Sequence, residues 1–462
     1  MSSPGFRLYD CMMSPDPTSI LALDVPGGAA PPAAGLRRLL KNLAHLFSGK
    51  VAAGLMSINY LIIVTHRLGV ADYGVLVLLN SYAVLVGSIV AFSGFHGIVR
   101  FGTLALQSGD EAAFRRLVRF MALIELGCGL AAVLVAAVLA PLIGPMLGWS
   151  PQIVRLAIPF SLAVLGTVRA TPQGVLQIAG RFDLIGLHQA LASPGVRLIG
   201  AVTLLFAGGG LEAFIIVWLA SSLVEGAAMW LLAWSSWKKL APTEPLLGPV
   251  SGPGRRFGGF GRFVLITNFD ITLRELAPNL APLTVGYMLG PAAAGLLTLA
   301  RKAAVILEQP ATLLGQASYA VYAGHFAAGE LTALRSTTWR SAGIASAIAL
   351  LLLLILQAVG AHLLAFVGGT GFRSGKMLLV MLALANGLAL ATTPFAVALT
   401  ALGKPQRSLM VALAANLGLF PLLPLLLWKF GVDGAGLHAI IQSCAAGAAL
   451  TAYFIADTRR CR

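Results

Sequence analysis

Apolar runs of about 20 residues, the length that crosses a bilayer as a helix, follow one another from residue 44 to residue 456, separated by short breaks rich in basic residues and glycine. Each run predicts a spanning helix, because a helix rises about 1.5 Å per residue. Twelve spans result, at 44–65, 73–97, 118–140, 153–174, 184–207, 211–235, 263–287, 292–319, 338–366, 376–400, 408–428 and 434–456. The fourth is interrupted by Pro159 and Arg169, and the seventh carries a polar strip.

That strip is periodic. Asn268, Thr272, Glu275 and Asn279 recur at steps of four, three and four, one face of a helix, with Thr267, Asp270 and Arg274 on the neighbouring strip. In the eighth span Lys302, Gln309 and Gln316 share a face, Arg301 and Glu308 lie beside them, and Pro310 predicts a kink. A charge at mid-membrane costs at least about 2.5 kcal/mol on insertion scales, so such residues turn toward a bundle interior or a wet cavity. The two spans are therefore read as the lining of a cavity, and the first half adds Lys50 and Arg100 as ionisable candidates.

Composition agrees with a membrane. The chain is 58% hydrophobic and 11% charged, far from the proportions of a soluble domain. Its net charge of +15 is spread over the breaks between spans, not gathered on one face with interleaved aromatics, so a nucleic-acid partner is excluded. With both termini inside, 20 lysines and arginines fall on the inner side and 5 on the outer, which satisfies the positive-inside rule with an even number of spans. Four scattered cysteines, Cys11, Cys128, Cys444 and Cys461, form neither a disulfide framework nor a metal cluster, and no cofactor is expected.

The expected organisation is a disordered cytosolic tail over residues 1–42, a first lobe over 43–235, a cytosolic linker over 236–262, a second lobe over 263–456 and a short tail over 457–462. The glycine-rich 252–262 stretch lacks the Lys-Ser/Thr ending of a phosphate loop. An internal repeat supports the division. Leu68-Gly69 with Gly74 matches Leu289-Gly290 with Gly295, Gly180-Arg181 matches Gly403-Lys404, and Gly210-Leu211-Glu212 matches Gly431-Val432-Asp433. Six spans per repeat insert in the same orientation, as parallel repeats. The fold class is thus all-α and integral to the membrane, two six-helix lobes around a central cavity.

His66-Arg67-Leu68-Gly69-Val70-Ala71-Asp72-Tyr73-Gly74, the segment Gly94 to Arg100 and Gly180-Arg181-Phe182 carry a resemblance to the polysaccharide transporter family. These are the oligosaccharide flippases of the superfamily that also holds toxic-compound exporters and the lipid II flippase. The resemblance runs from about residue 40 to 456; the chain departs from the family pattern in placing Arg67 directly before Leu68. It implies lobes that rock around a basic cavity in the bacterial inner membrane. The implied substrate is a polyprenyl pyrophosphate-linked oligosaccharide bound for O-antigen, capsule or exopolysaccharide, with polysaccharide polymerase machinery downstream and membrane lipid around it.

For that substrate, Arg274, Arg301 and Lys302 are the expected pyrophosphate ligands, since arginine binds phosphate in bidentate fashion and lysine serves as a point charge. An alternative is that Arg274 pairs with Asp270 one turn away, and Arg301 with Glu308. Asn268, Asn279, Gln309 and Gln316 would hydrogen-bond the sugars, and Asp270, Glu275 and Glu308 are candidates for coupling to sodium ions or protons. Glu125, Arg169, Arg197 and Glu225 are read as members of interhelical pairs. The competing function is efflux of organic cations, which calls for an acidic, aromatic cavity. A membrane enzyme is disfavoured because every outer loop is short.

Overall fold

The computed structural model describes residues 32–242, 248, 250, 256–305 and 308–460, without the side chains of 32–47, 308–313, 316, 317, 320 and 460. Every regular element among them is helical. α1 runs from Pro32 to Val90 and is divided at Gly69, whose backbone (φ 72°, ψ −173°) leaves the helical region. Short α and π turns over Phe95–Gly97, Ile98–Gly102 and Thr103–Gln107 lead to α2, Glu111–Met146. The remaining helices are α3 Pro151–Phe160, α4 Ala170–Ile178, α5 Phe182–Ala190, α6 Val196–Ala207, α7 Leu211–Leu240, α8 Phe260–Leu289, α9 Pro291–Ala304, α10 Glu308–Ala327, α11 Leu331–Gly368, α12 Lys376–Ala401, α13 Pro405–Leu413, α14 Leu422–Phe430 and α15 Asp433–Arg460.

Eight helical stretches among the described residues are long and apolar enough to cross a membrane, and a ninth results if the bent pair Pro405–Gly418 and Leu422–Phe430 is one span. One of the eight, Ser48–Val90, covers most of the first two predicted spans on either side of Gly69, the second of them ending at Val90 and not at 97. α8 stands where the seventh span is predicted and is long enough, but its polar strip keeps it outside the apolar set. Helix begins at Pro32 and ends at Arg460, so residues 32–42 and 457–460, expected in tails, are helical.

Pro31–Leu296 with Ala365–Phe372 forms one compact unit, and Leu297–Leu364 with Arg373–Arg462 forms another. The boundary falls after α8 and not in the 236–262 break, and packing explains why. Phe260 and Val264 at the start of α8 are buried in one core with Ile98, Phe101, Phe114, Leu117 and Val175. Near its end Gly286 lets the α8 backbone approach Leu78, since a methyl group there would lie 2.5 Å from a Leu78 methyl. Closer still is Gly74, where an added methyl would lie 1.8 Å from the carbonyl oxygen of Pro291, while one on Gly295 would lie 2.7 Å from that of Val70. The two glycines matched by the repeat thus pack against each other's helix.

In the first unit Arg115 on α2 is fully buried and donates to the carbonyl oxygen of Ala241 (2.6 Å), just past the end of α7, where helix carbonyls lack partners. In the second unit Tyr322, Leu334, Phe395 and Phe454 anchor the core. Buried Asp457 bonds Lys404 (3.1 Å) and Arg407 (2.5 Å), tying α15 to the cap and first turn of α13.

The repeat is visible in the backbone. Apart from Gly259, the left-handed glycines among the described residues occur as Gly69 and Gly290, Gly109 and Gly329, Gly148 and Gly369, Gly180 and Gly403, and Gly208 and Gly431. The partner of Gly431 is Gly208, the residue that ends α6, and not Gly210 as the sequence match suggests.

Candidate functional site

The site is built on the interruption of the fourth predicted span. Ser150 caps α3 by accepting from the Ile153 N–H (3.3 Å), and Pro151 occupies the first turn, where its missing N–H costs nothing. After Pro159 the chain tightens into a 3-10 segment, Ser161–Thr167, and at Val168 and Arg169 it leaves the helix altogether. The exposed backbone groups are met by side chains. Trp230 Nε1 donates to the Val168 carbonyl oxygen (2.9 Å), and the buried Glu125 carboxylate accepts from the N–H groups of Ala170 (2.6 Å) and Thr171 (2.8 Å) at the start of α4. An anion at a helix N-terminus is favoured both by those orphan donors and by the helix dipole. The break is thereby fixed, and Arg169 is delivered at its apex.

Arg169 faces a cavity of about 650 Å³ wholly inside the first unit. Its guanidinium donates to the Glu225 carboxylate of α7. Arg197, at the start of α6, lies with its guanidinium 4.4 Å from the Trp218 ring centre and its Nε donating to Ser221 Oγ (2.9 Å), while Trp218 in turn donates to the Tyr60 hydroxyl. Arg197 forms no ion pair with a described residue. α8 supplies the facing wall. Asn268 Oδ1 accepts from the Ser93 N–H (2.8 Å), Thr272 Oγ1 donates to the Ser88 carbonyl oxygen (3.0 Å), and Glu275 borders the same space. Asn80, Gln173, Ser193 and Ser222 add further hydroxyl and amide groups, and Val84, Phe92, Phe95 and Ile271 add apolar surface between them.

A second cavity of about 330 Å³ shares Arg169, Gln173, Ser193 and Glu225 with the first, and extends toward Ile185, His188, Gln189 and Met229. The Arg169–Glu225 pair is therefore part of the wall common to both. His188 Nε2 donates to the Glu225 backbone carbonyl oxygen (2.8 Å), so that nitrogen carries a proton.

Of the residues expected from sequence, Asn268 and Glu275 line the larger cavity together with Thr272, as the α8 periodicity requires. Arg274 and Asp270 lie outside it and bond each other (2.9 Å), one helical turn apart, and Asp270 Oδ1 is buried without a hydrogen-bond partner. Asn279 donates to the Glu275 carbonyl oxygen (2.8 Å) within α8. Lys50 is exposed. Arg100 stacks on the Phe263 ring at 4.6 Å. Arg301 and Lys302 belong to the second unit, where Arg301 interacts electrostatically with His438. The side chains of Glu308, Gln309 and Gln316 lie outside the described residues.

Sequence periodicity gave too little weight to Arg169, Arg197 and Glu225, each alone in an apolar run. One signal was present: spans broken by proline or glycine build binding sites in transporters, and Pro159 and Arg169 marked such a break.

A family model described as polysaccharide biosynthesis protein matches residues 63–370. The inner membrane protein YghQ of Escherichia coli strain K12 is 28% identical over 283 residues, covering 61% of this chain and 79% of that protein. Among solved structures, a multidrug resistance MATE family transporter of the MOP superfamily in its inward-facing conformation superposes with a TM-score of 0.61 at 14% identity, over 100% of this chain and 99% of that one. The Vibrio cholerae MATE transporter VcmN in its bent form gives 0.53 at 15% identity, over 92% and 98%. At these identities the likeness to the solved structures is one of fold.

Proposed function

This chain belongs to the polysaccharide biosynthesis protein family, and from that premise we propose that it carries polyprenyl pyrophosphate-linked oligosaccharides across the bacterial inner membrane by alternating access. The observation that carries the proposal is the 650 Å³ cavity inside the first unit, within the size range of small-molecule sites and lined by amide, hydroxyl and charged groups set among apolar ones such as Val84, Phe92 and Ile271. Sugars present many hydroxyls and little apolar area, and such a lining exchanges their bonds to water for bonds to protein. Arg197, held by Trp218 and Ser221 and unmatched by a carboxylate among the described residues, suits the anionic end of the substrate. On this reading twelve crossings place both termini in the cytoplasm, and two six-helix lobes enclose the path. Polysaccharide polymerase machinery receives the product.

Transport would be driven by sodium ions or protons, with Glu275 the cavity acid best placed to take part and Asp270 and Glu308 as further candidates. Efflux of organic cations is less well supported, because Arg197 would repel a cation within the same cavity.

Purified protein in proteoliposomes, loaded with lipid-linked glycan extracted from cells lacking it, tests the proposal. Translocation should require the protein, and imposed sodium and proton gradients should separate the two modes of coupling. Protein-independent scrambling, or accumulation of no lipid-linked glycan in the deficient cells, would overturn it.

A further inference from the structure

The structure assigns a second sugar-binding subsite to the smaller cavity beyond the Arg169–Glu225 pair. This rests on the reading that the cargo is a lipid-linked oligosaccharide, and it adds where a second part of the glycan is held. The cavity is about 330 Å³, and its wall mixes two kinds of surface. Gln173, His188, Gln189 and Ser193 offer hydrogen-bonding groups, whereas Ile185 and Met229 offer apolar ones. A pyranose has the same division, with hydroxyls around its edge and a C–H face, so one ring can satisfy both.

Two details favour an occupant that donates hydrogen bonds. Gln189 Oε1 is buried and has no hydrogen-bond partner in the protein, a state that native structures rarely leave unfilled. On the neighbouring residue, His188 uses Nε2 to donate to the Glu225 carbonyl oxygen, and the Nε2-protonated tautomer has Nδ1 as an acceptor. Both residues border the cavity, where a rotation of the Gln189 amide would bring its unpaired oxygen to a hydroxyl donor, and neither residue carries a fixed positive charge to attract an anion.

The position beside the larger cavity, across the Arg169–Glu225 pair, sets the length of glycan the subsite senses. Arg169, Gln173, Ser193 and Glu225 border both spaces. A single sugar fits the larger cavity alone, whereas a longer chain passes the ion pair and reaches Gln189.

Proteoliposome translocation of two probes tests this: the extracted polyprenyl pyrophosphate oligosaccharide, and the same material trimmed enzymatically to its lipid-proximal sugar. Gln189→Leu, which keeps the volume and removes the polar atoms, and Gln189→Phe, which fills the space, should each slow the full glycan at least ten-fold. The trimmed probe should stay within two-fold of the wild-type rate. Equal slowing of both probes, or of neither, overturns the subsite while leaving the transport reading intact; the second result assigns the smaller cavity to water. If the wild-type protein moves neither probe, the transport reading fails and the subsite falls with it. Should Gln189→Phe not yield monodisperse protein, Gln189→Leu decides alone.

Discussion

Arg169, at the break before α4, and Glu225, on α7, bond each other, and both side chains also border the larger and the smaller cavity. Removing one partner leaves a charge facing a confined polar space, whereas removing both leaves none. Arg169→Gln and Glu225→Gln should therefore each destabilise the protein, and the double variant should lose less than their sum. The pair keeps about a third and a quarter of its side-chain surface exposed, so a coupling in the lower part of the usual range of about 0.5–3 kcal/mol is expected. Unfolding in detergent micelles measures it, and strict additivity would count against the bond.

Arg197 and Arg274 should behave differently. The first is set in the cavity by Trp218 and Ser221; the second is exposed and bonded to Asp270. Arg197→Gln is expected to lower glycan translocation at least ten-fold, and Arg274→Gln to change it less than two-fold, with equal amounts of each variant in the membrane. The reverse order would return the anionic end of the substrate to α8.

Glu125 holds the start of α4. Substitution by alanine removes the acceptor from two N–H groups, at least one of them in a buried setting, and a buried donor left unpaired costs about 1–3 kcal/mol. Glu125→Ala should lower the midpoint of thermal unfolding clearly, and Glu125→Gln, which keeps one carbonyl oxygen, should lower it less. Identical midpoints for wild type and Glu125→Ala would show that the break at Arg169 is held by other means.

Gly74 admits no side chain, because the Pro291 carbonyl oxygen occupies the place of its methyl group. Overpacking of this kind costs about 1–3 kcal/mol and at times more. Gly74→Ala should reduce both thermal stability and the amount of folded protein, whereas Gly54→Ala, with nothing within 4 Å of the new methyl, should be neutral or slightly stabilising. Fluorescence-detected size exclusion on heated membranes compares the two directly.

Much of the helical plan was legible in the chain. Apolar runs located the helices because lipid demands continuous apolar surface, and the α8 strip of Asn268, Thr272 and Glu275 turns to one space because a helix repeats every 3.6 residues. Asn279, on the same strip, bonds its own helix, since periodicity tells direction but not what stands opposite. Arg169, Arg197 and Glu225 were harder to rank. Their significance comes from neighbours on other helices, Trp218, Ser221 and the Glu125 cap, and sequence spacing within one helix carries no information about those. The same limit explains α8, whose place in the first unit follows from Phe260 and Val264 entering a core assembled by distant segments.

The five pairs of left-handed glycines bear on how such a chain can change over time. A backbone in that conformation accepts little besides glycine, so the bends resist drift. The residues that touch cargo are under no such restriction, and in this protein the polar chamber is drawn from one compact unit. New cargo can therefore be accommodated by altering a handful of side chains there, while the bends that set the path of the main chain in both halves stay as they are.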